Sequence, residues 1–129
     1  MSYPGDRRYT NEHEWARSEA GVITVGITTY AQDSLGDIVF VELPSVGAEL
    51  TKGQSFGVVE STKAVSELYA PVSGKVVAVN APLADAPETV NRDPHGEAWM
   101  IKVQVAGTAD FDALMSADQY EKFLKDSGH

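Results

Sequence analysis

Lys63 is the residue whose type and setting best fit covalent chemistry. It lies in a short connection between two segments typical of β-strands, residues 56–60 and 65–69. A lysine at the tip of a hairpin projects a long stem and an acylatable amine into solvent. Glu60 and Glu67 flank it and give a modifying enzyme an acidic frame to recognise. Spacing alone nevertheless favours the simpler interpretation, an ordinary surface lysine that serves solubility.

The remaining reactive side chains do not predict a second kind of site. The chain has no cysteine, which excludes a disulfide framework, a thiolate metal site and a cysteine nucleophile. His13, His95 and His129 lack the compact spacing with carboxylates that a metal site requires. The sequence offers neither a nucleophile beside a base nor a working pair of carboxylates, so we expect no independent catalytic activity.

The charge of the chain restricts its partners. The 129 residues carry a formal net charge of −9, and an acidic surface repels nucleic acid and anionic membranes. Protein partners with basic docking surfaces are therefore expected, unless the charge serves solubility alone. The first residues resemble neither a secretory signal nor an arginine-rich presequence, and no apolar run is long enough to span a bilayer. These features favour a bacterial cytoplasmic protein, or a processed eukaryotic form in the mitochondrial matrix.

The middle of the chain predicts a mainly β fold. Six segments rich in β-branched and aromatic residues are separated by glycine and proline turn signals. They are residues 22–25, 38–43, 56–60, 65–69, 74–80 and 100–105. Short strands with frequent turns indicate a small barrel or sandwich. Because no linker or low-complexity tract divides the chain, a single domain covering residues 1–129 is predicted.

A short helix is predicted after the first of these strands. Thr29 and Gln32 have the spacing of a capping box, in which two side chains satisfy backbone amides of the first turn. Gly36 suits the position after the last turn, where a left-handed residue is needed. Together these signals predict a helix over residues 29–35.

The end of the chain predicts a second helix. Ser116 and Gln119 repeat the capping-box spacing, and an apolar stripe with helical period follows them. A C-terminal helix is therefore predicted over residues 117–125. Residues 110–115 predict a further short helical turn just before it.

Several segments resemble the glycine cleavage system H protein family. Residues 56–74 resemble that family's lipoyl-lysine segment around Lys63. Further likeness follows the family's order along the chain, at residues 9–15, 26–32 and 35–44, at Val90 and Asn91, at Asp93 and Pro94, and at Trp99. The resemblance covers residues 9–124, so it depends on many motifs rather than one lysine. It implies a small lipoyl/biotinyl-type barrel-sandwich, mainly β, with a short helix in the N-terminal third and a C-terminal helix.

The resemblance implies a cofactor-bearing carrier rather than an enzyme. Lys63 would bear a lipoyl group through an amide, attached by a lipoate ligase or a lipoyl/octanoyl transferase. The carrier would take an aminomethyl group from a pyridoxal-phosphate glycine decarboxylase (P protein) to a tetrahydrofolate-dependent aminomethyltransferase (T protein). Dihydrolipoamide dehydrogenase (L protein) would then receive the reducing equivalents. No nucleic acid or membrane partner is implied, and we expect a monomer.

The resemblance also implies a shelter for the loaded arm, because an aminomethyl group beside a labile carbon–sulfur bond is lost in water. Lysine and lipoyl group together form an arm of roughly 14 Å, which would fold into a surface cleft. By motif position, Glu14 is expected to hold the ammonium. Glu12 and Glu67 are second candidates, and Ser34 is expected along the same cleft. Without the resemblance, an ordinary solvated glutamate is the simpler interpretation of Glu14.

Three other functions compete with this interpretation. Methionines flank the lysine in biotin carriers, whereas Thr62 and Ala64 stand here, which argues against biotin. Lipoyl domains of 2-oxo acid dehydrogenases are shorter and tethered by linkers, but an acyl-carrier or lipoyl-relay role is kept as the alternative. A β-rich interaction module with no modification is the third, and the mass of the expressed protein would distinguish it.

Overall fold

The computed structural model describes residues 3–126, and it confirms the mainly β prediction. Within this part the strands are β1 (Arg8–Tyr9), β2 (Glu14–Glu19), β3 (Val22–Ile27), β4 (Ile38–Glu42), β5 (Glu49–Leu50), β6 (Ser55–Ser61), β7 (Val65–Tyr69), β8 (Gly74–Val79) and β9 (Ile101–Gln104). The helices are α1 (Thr29–Leu35), α2 (Pro82–Asp85), α3 (Thr89–Arg92), α4 (Ala109–Asp112) and α5 (Ala117–Asp126). His129 lies outside the described residues. Between residues 3 and 126, no helix is long and apolar enough to cross a membrane.

The strands form two antiparallel sheets. The larger sheet has the order β1-β2-β3-β9-β8-β5, and the smaller sheet has the order β4-β6-β7. Strand β9 pairs with β3 from Val22 opposite Gln104 to Val25 opposite Ile101, which joins distant parts of the chain. The sheets do not close into a continuous barrel, and the arrangement agrees with the predicted barrel-sandwich.

One apolar core joins the two sheets. Val25 and Val103 from the larger sheet and Val41 and Val59 from the smaller sheet are buried in the same cluster. Each fully buried aliphatic side chain contributes roughly 1.5–3 kcal/mol. The alternating side chains of the smaller sheet that face away from this cluster are therefore left on the outside of the molecule.

Helix α1 is present as predicted, but its cap is a different threonine. Thr28, not Thr29, is the N-cap, and its hydroxyl accepts a hydrogen bond from the Ala31 N–H at 3.2 Å. Thr29 is already helical, and its N–H donates to His95 Nε2 at 3.1 Å. Two adjacent threonines satisfy the same local rule, so only the three-dimensional structure distinguishes them. Gly36 follows the helix as predicted, at a φ of 84° that favours glycine.

The C-terminal helix α5 is confirmed, together with its capping box. The Ser116 N–H donates to Gln119 Oε1 at 2.8 Å, and the Gln119 N–H donates to Ser116 Oγ at 3.2 Å. Tyr120 on the buried face stacks on Tyr9 with ring centroids 4.9 Å apart. Tyr9 also exchanges backbone hydrogen bonds of 2.8 and 2.9 Å with Met115. Helix α5 thereby holds the segment before it against β1.

The sequence patterns did not predict several short elements, namely β1, β2, β5, α2 and α3. In β2 (Glu14–Glu19) the first three residues are buried and the last two are exposed, so the expected alternation is absent. The strand follows His13, whose φ of 70° turns the chain sharply. The burial of a glutamate at position 14 makes the strand pattern still harder to recognise in the sequence. The short turn predicted at residues 110–115 is a helix over Ala109–Asp112.

Candidate functional site

Lys63 lies at the tip of the hairpin between β6 and β7, with its side chain exposed. The last paired residues before the turn are Glu60 and Val65. The Ser61 N–H donates to the Ala64 carbonyl at 2.8 Å. The Ser61 hydroxyl accepts from the N–H groups of Ala64 and Lys63 at 3.1 and 3.3 Å. One serine therefore satisfies two of the backbone donors of the turn, which helps to fix the turn, and the side chain of Lys63 stays exposed.

The segment after α1 supports the hairpin. The Thr62 N–H donates to the Asp37 carbonyl at 3.1 Å. A Cβ placed on Gly36 would lie 3.6 Å from Lys63 Cε, so the lysine stem passes close over this glycine. The hairpin tip is therefore held at its backbone, and the stem of Lys63 lies beside a residue that has no side chain.

Asn91 on α3 holds that supporting segment in place. Its Nδ2 donates to the Gly36 carbonyl at 2.7 Å, and its Oδ1 accepts from the Ile38 N–H at 2.8 Å. Both halves of the amide are thus used on the two sides of one turn. In the sequence Asn91 belongs to a segment that resembles the family. Its role is not evident there, because the residues that it hydrogen-bonds lie 53 and 55 positions away.

A surface cleft lies at the end of β7 that is remote from Lys63. Its volume is about 370 Å³. Its polar lining includes Thr10, Asn11, Glu12 and Glu14. Its apolar lining includes Ala70, Pro71, Leu114 and Met115. A concave apolar surface with a few convergent polar groups suits a hydrocarbon chain that ends in a charge.

Glu14 is the buried charged group of this cleft, and its side chain is 2% exposed. Its Oε1 accepts from the Thr10 hydroxyl at 2.7 Å, and its Oε2 accepts from the Tyr69 N–H at 3.1 Å. Burial raises the pKa of the Glu14 carboxyl from 4.5 to about 7, against the two hydrogen bonds, which lower it. The charge of Glu12 raises this pKa further. A carboxylate has about four acceptor positions, so Glu14 can accept a further donor from the cleft.

The other predicted residues lie at different distances from this cleft. Glu12 is exposed and lines it. Glu67 is not among the lining residues, but its carboxylate accepts a hydrogen bond from the hydroxyl of Tyr69, a lining residue, at 3.5 Å. Ser34 is exposed on α1 and is not among the lining residues. The structure therefore brings Glu12 and Glu14 together, places Glu67 near the edge and leaves Ser34 outside.

Thr10 and Tyr69 are site residues that the sequence did not indicate. Besides its bond to the carboxylate, the Thr10 hydroxyl accepts from the N–H groups of Glu12 and Glu14 at 3.2 and 3.1 Å. A threonine that bonds the backbone two residues on is a known turn signal, so Thr10 could have been found. Tyr69 acts through its backbone N–H and has no such signal. Among residues 3–126, no group of side chains is arranged to hold a metal ion.

The pH dependence of stability should report the buried Glu14 carboxyl. Its pKa in the folded protein is raised, so the folded state prefers the neutral acid. The contribution of this group to the free energy of unfolding is complete below the pKa that Glu14 has in the unfolded chain. It is lost as pH rises through about 7, the pKa of Glu14 in the folded protein. Relative to Glu14→Gln, the wild type should therefore lose about 3 kcal/mol between pH 4 and pH 8.5.

Denaturant unfolding across that pH range measures the difference. The matched control is Glu49→Gln, because Glu49 is exposed on β5 and should leave the wild-type pH profile unchanged. Parallel profiles for wild type and Glu14→Gln would show that the Glu14 carboxyl is not desolvated in solution.

An exposed lysine at the tip of a rigid hairpin, on a barrel-sandwich of two sheets, is typical of the carrier domains that bear a cofactor on a lysine. The family model described as glycine cleavage H-protein matches residues 7–127. The chain belongs to this family, whose members are carrier components of the glycine cleavage system. The family predicted from the sequence is confirmed.

Individual relatives agree with this assignment. The chain is 59% identical over 126 residues to the glycine cleavage system H protein of Anaeromyxobacter sp. (strain K), with 98% of each chain covered. It is 54% identical over 125 residues to that of Carboxydothermus hydrogenoformans, covering 97% of this chain and 96% of the relative. A crystal structure of the H protein from Mycobacterium marinum matches with a TM-score of 0.86 at 41% identity, covering 98% of this chain and 100% of that one. These full-length matches do not favour the 2-oxo acid dehydrogenase alternative.

Proposed function

We propose that this chain carries a lipoyl group on Lys63 and passes an aminomethyl group between enzymes of the glycine cleavage system. The observation that supports this function is an exposed lysine on a backbone-fixed hairpin tip in a member of the H-protein family. A bound lipoyl group supplies the disulfide chemistry that accepts the aminomethyl group and passes on reducing equivalents. The chain itself provides the attachment point for the lipoyl group, positions the arm and shelters the cargo.

The contribution of the chain at Lys63 is positional. The Ser61 turn and the Asp37 contact fix the hairpin backbone, while the stem of Lys63 stays free to rotate. A tether of this kind makes each delivery effectively intramolecular once a partner has docked, at effective concentrations on the order of millimolar. A rigid base with a flexible arm therefore suits a carrier that visits several active sites.

The outer face of β7 connects Lys63 with the cleft. Val65, Glu67 and Tyr69 alternate along this strand and therefore share one face. At a rise of about 3.3 Å per residue, Glu67 lies roughly 13 Å and Tyr69 roughly 20 Å from Lys63 along the strand. An arm of roughly 14 Å laid on this face ends near Glu67. Its cargo then extends towards Tyr69 and Glu14.

The cleft is the proposed shelter for that cargo. Glu67 and Glu12 would receive the ammonium near the edge, and Glu14 would bind it inside. A charge pair is stronger in the dry interior than in water, and the burial of Glu14 supplies such surroundings. Excluded water would also slow hydrolysis of the cargo. Ser34 lies outside the cleft and is not part of this proposal.

The proposed partners are the P, T and L proteins and the enzyme that attaches the lipoyl group. The net charge of −9 supports docking to basic surfaces on these proteins. The bacterial relatives support a cytoplasmic location. The monomeric state and the single domain over residues 1–129 stay predictions.

Glycine-dependent reduction tests the proposal. After incubation with a lipoate ligase, lipoate and ATP, the intact mass should rise by one lipoyl group, which peptide mapping should locate at Lys63. With a purified glycine decarboxylase and glycine, the lipoylated chain should then form titratable thiols, whereas the unlipoylated chain should form none. The proposal would be wrong if a ligase that modifies another H protein left this chain unmodified.

A further inference from the structure

The outer face of the smaller sheet carries apolar and acidic side chains in alternation, directly beside Lys63. Register places three residues side by side in the row nearest the tip and three more in the next row. The first row is Phe40, Glu60 and Val65, and the second is Glu42, Val58 and Glu67. Opposed Cβ atoms lie about 5 Å apart, so the six form one continuous patch. We refer to these six residues as the checkerboard face.

The apolar members of the checkerboard face are in contact with water. Phe40 is 44% exposed and Val65 is 67% exposed. On the inner side of the same sheet, Val41 and Val59 are buried in the core, so the apolar residues of the outer face are additional to those the fold requires. Exposed apolar side chains that are grouped on one surface and bordered by polar residues are typical of a contact with another protein.

The charges of the checkerboard face all have one sign. Glu42, Glu60 and Glu67 take part in none of the ion pairs formed among residues 3–126. The six positions include neither lysine nor arginine. A complementary surface would therefore combine basic side chains with an apolar contact for Phe40 and Val65.

We propose that the checkerboard face docks the enzyme that acylates Lys63, through a basic surface with apolar side chains. This inference rests on the proposed lipoylation of Lys63. An acylating enzyme must bring its active site to the lysine Nζ, which is only about 6 Å from the Cα. Enzymes that act on the cargo meet it at the end of an arm of roughly 14 Å. The acylating enzyme is therefore the partner that must cover the base of the hairpin.

The size of a protein interface supports this geometry. A standard interface covers about 800 Å² on each partner, which is a disc of roughly 16 Å radius. Glu60 and Val65 form the last pair before the turn, and Glu67 lies roughly 13 Å from Lys63 along the strand. The inner face of the sheet is closed by the core. A footprint of this size centred on Lys63 therefore reaches the checkerboard face.

The face has a positioning role in the reaction. The neutral Lys63 amine attacks the carbonyl carbon of a lipoyl adenylate that the enzyme makes from lipoate and ATP. The N–C bond forms, the bond from the carbonyl carbon to the phosphate oxygen breaks, and AMP leaves with that electron pair. The nitrogen releases one proton to solvent. Contacts made before this step should lower KM and leave kcat nearly unchanged.

Acylation rates measured by intact mass test the inference. Phe40→Ser and Glu42→Lys should each lower kcat/KM for a purified lipoate ligase, with lipoate and ATP, by about tenfold or more, mainly through KM. The matched controls are Val46→Ser and Glu49→Lys. Val46 is 62% exposed in the loop after β4, and Glu49 is exposed on the larger sheet. Both controls should stay within about twofold of wild type, as exposed residues outside an interface do.

The outcomes separate this inference from the proposed function. A wild-type chain that gains no lipoyl group contradicts the function itself. Wild-type acylation rates in Phe40→Ser and Glu42→Lys overturn the docking face alone. A second outcome would also overturn the docking face. If the variants are acylated at the wild-type rate but glycine decarboxylase no longer reduces them once they are fully lipoylated, the face docks glycine decarboxylase instead. If Phe40→Ser lowers the unfolding temperature, Val65→Thr, which keeps the side-chain shape, replaces it.

Discussion

The Lys63→Arg variant should gain no lipoyl mass and should support no more glycine-dependent thiol formation than a reaction without carrier. Arginine keeps the positive charge and a long stem, but its guanidinium stays protonated and does not accept the acyl group. Because the Lys63 side chain is exposed, the exchange should leave the fold and the unfolding temperature unchanged. Intact mass after incubation with a lipoate ligase, followed by thiol titration with glycine decarboxylase, measures both effects.

The matched control for this experiment is Lys75→Arg. Lys75 is an exposed lysine on β8, away from the hairpin, and its replacement should leave lipoylation and reduction at wild-type levels. Carrier activity that persists in Lys63→Arg would remove Lys63 as the attachment point and the proposed function with it. A lipoyl group found by peptide mapping on any other lysine would have the same consequence.

The Glu14→Ala variant should accept the lipoyl group normally but lose its aminomethyl cargo faster. A hydrogen bond to a charged group contributes about 1.5–3 kcal/mol, so its loss corresponds to roughly a 10- to 100-fold faster hydrolysis of the loaded form. The alanine also opens the buried position of Glu14 beside Thr10 and Tyr69 to water. Formaldehyde and ammonia released from the loaded carrier, without aminomethyltransferase, report the rate.

Glu12→Ala and Glu67→Ala are the matched comparisons for Glu14. Both carboxylates are exposed, and exposed charge pairs contribute about 0.2–1 kcal/mol, so we expect at most a roughly fivefold increase in hydrolysis. Equal hydrolysis rates in Glu14→Ala and wild type would exclude Glu14 from the shelter. If Glu67→Ala increased hydrolysis more than Glu14→Ala, Glu67 rather than Glu14 would hold the ammonium, since an extended arm reaches Glu67 first.

Most regular elements of the fold could be predicted from local signals. The strands beside Lys63 follow from alternating β-branched residues, and α5 follows from the reciprocal bonds of Ser116 and Gln119. Strand β2 was missed because its burial does not alternate. The cap of α1 was placed one residue late because adjacent threonines satisfy the same rule. Local patterns are therefore informative where one element satisfies its own backbone groups, and ambiguous where tertiary contacts do so.

The candidate site was predictable in its residues more than in its geometry. Glu14 could be proposed only through the resemblance, since its partner Tyr69 is 55 positions away in the chain. Asn91, which holds the support beneath the hairpin, depends equally on distant partners. Such hydrogen bonds leave no trace in the spacing of neighbouring residues.

The sequence by itself determined the family, because motifs in the family's order run along most of the chain. This resemblance singled out Lys63, whose spacing alone indicates an ordinary surface lysine. Only the tertiary structure decided how the surroundings of that lysine are arranged. It buried Glu14 and so raised the pKa of its carboxyl, and it built the cleft from residues 9–12, 14, 52–53, 69–71 and 113–115. It also set the register that aligns Phe40, Glu60 and Val65. Desolvation and register depend on groups that are distant in sequence, so no single segment encodes them.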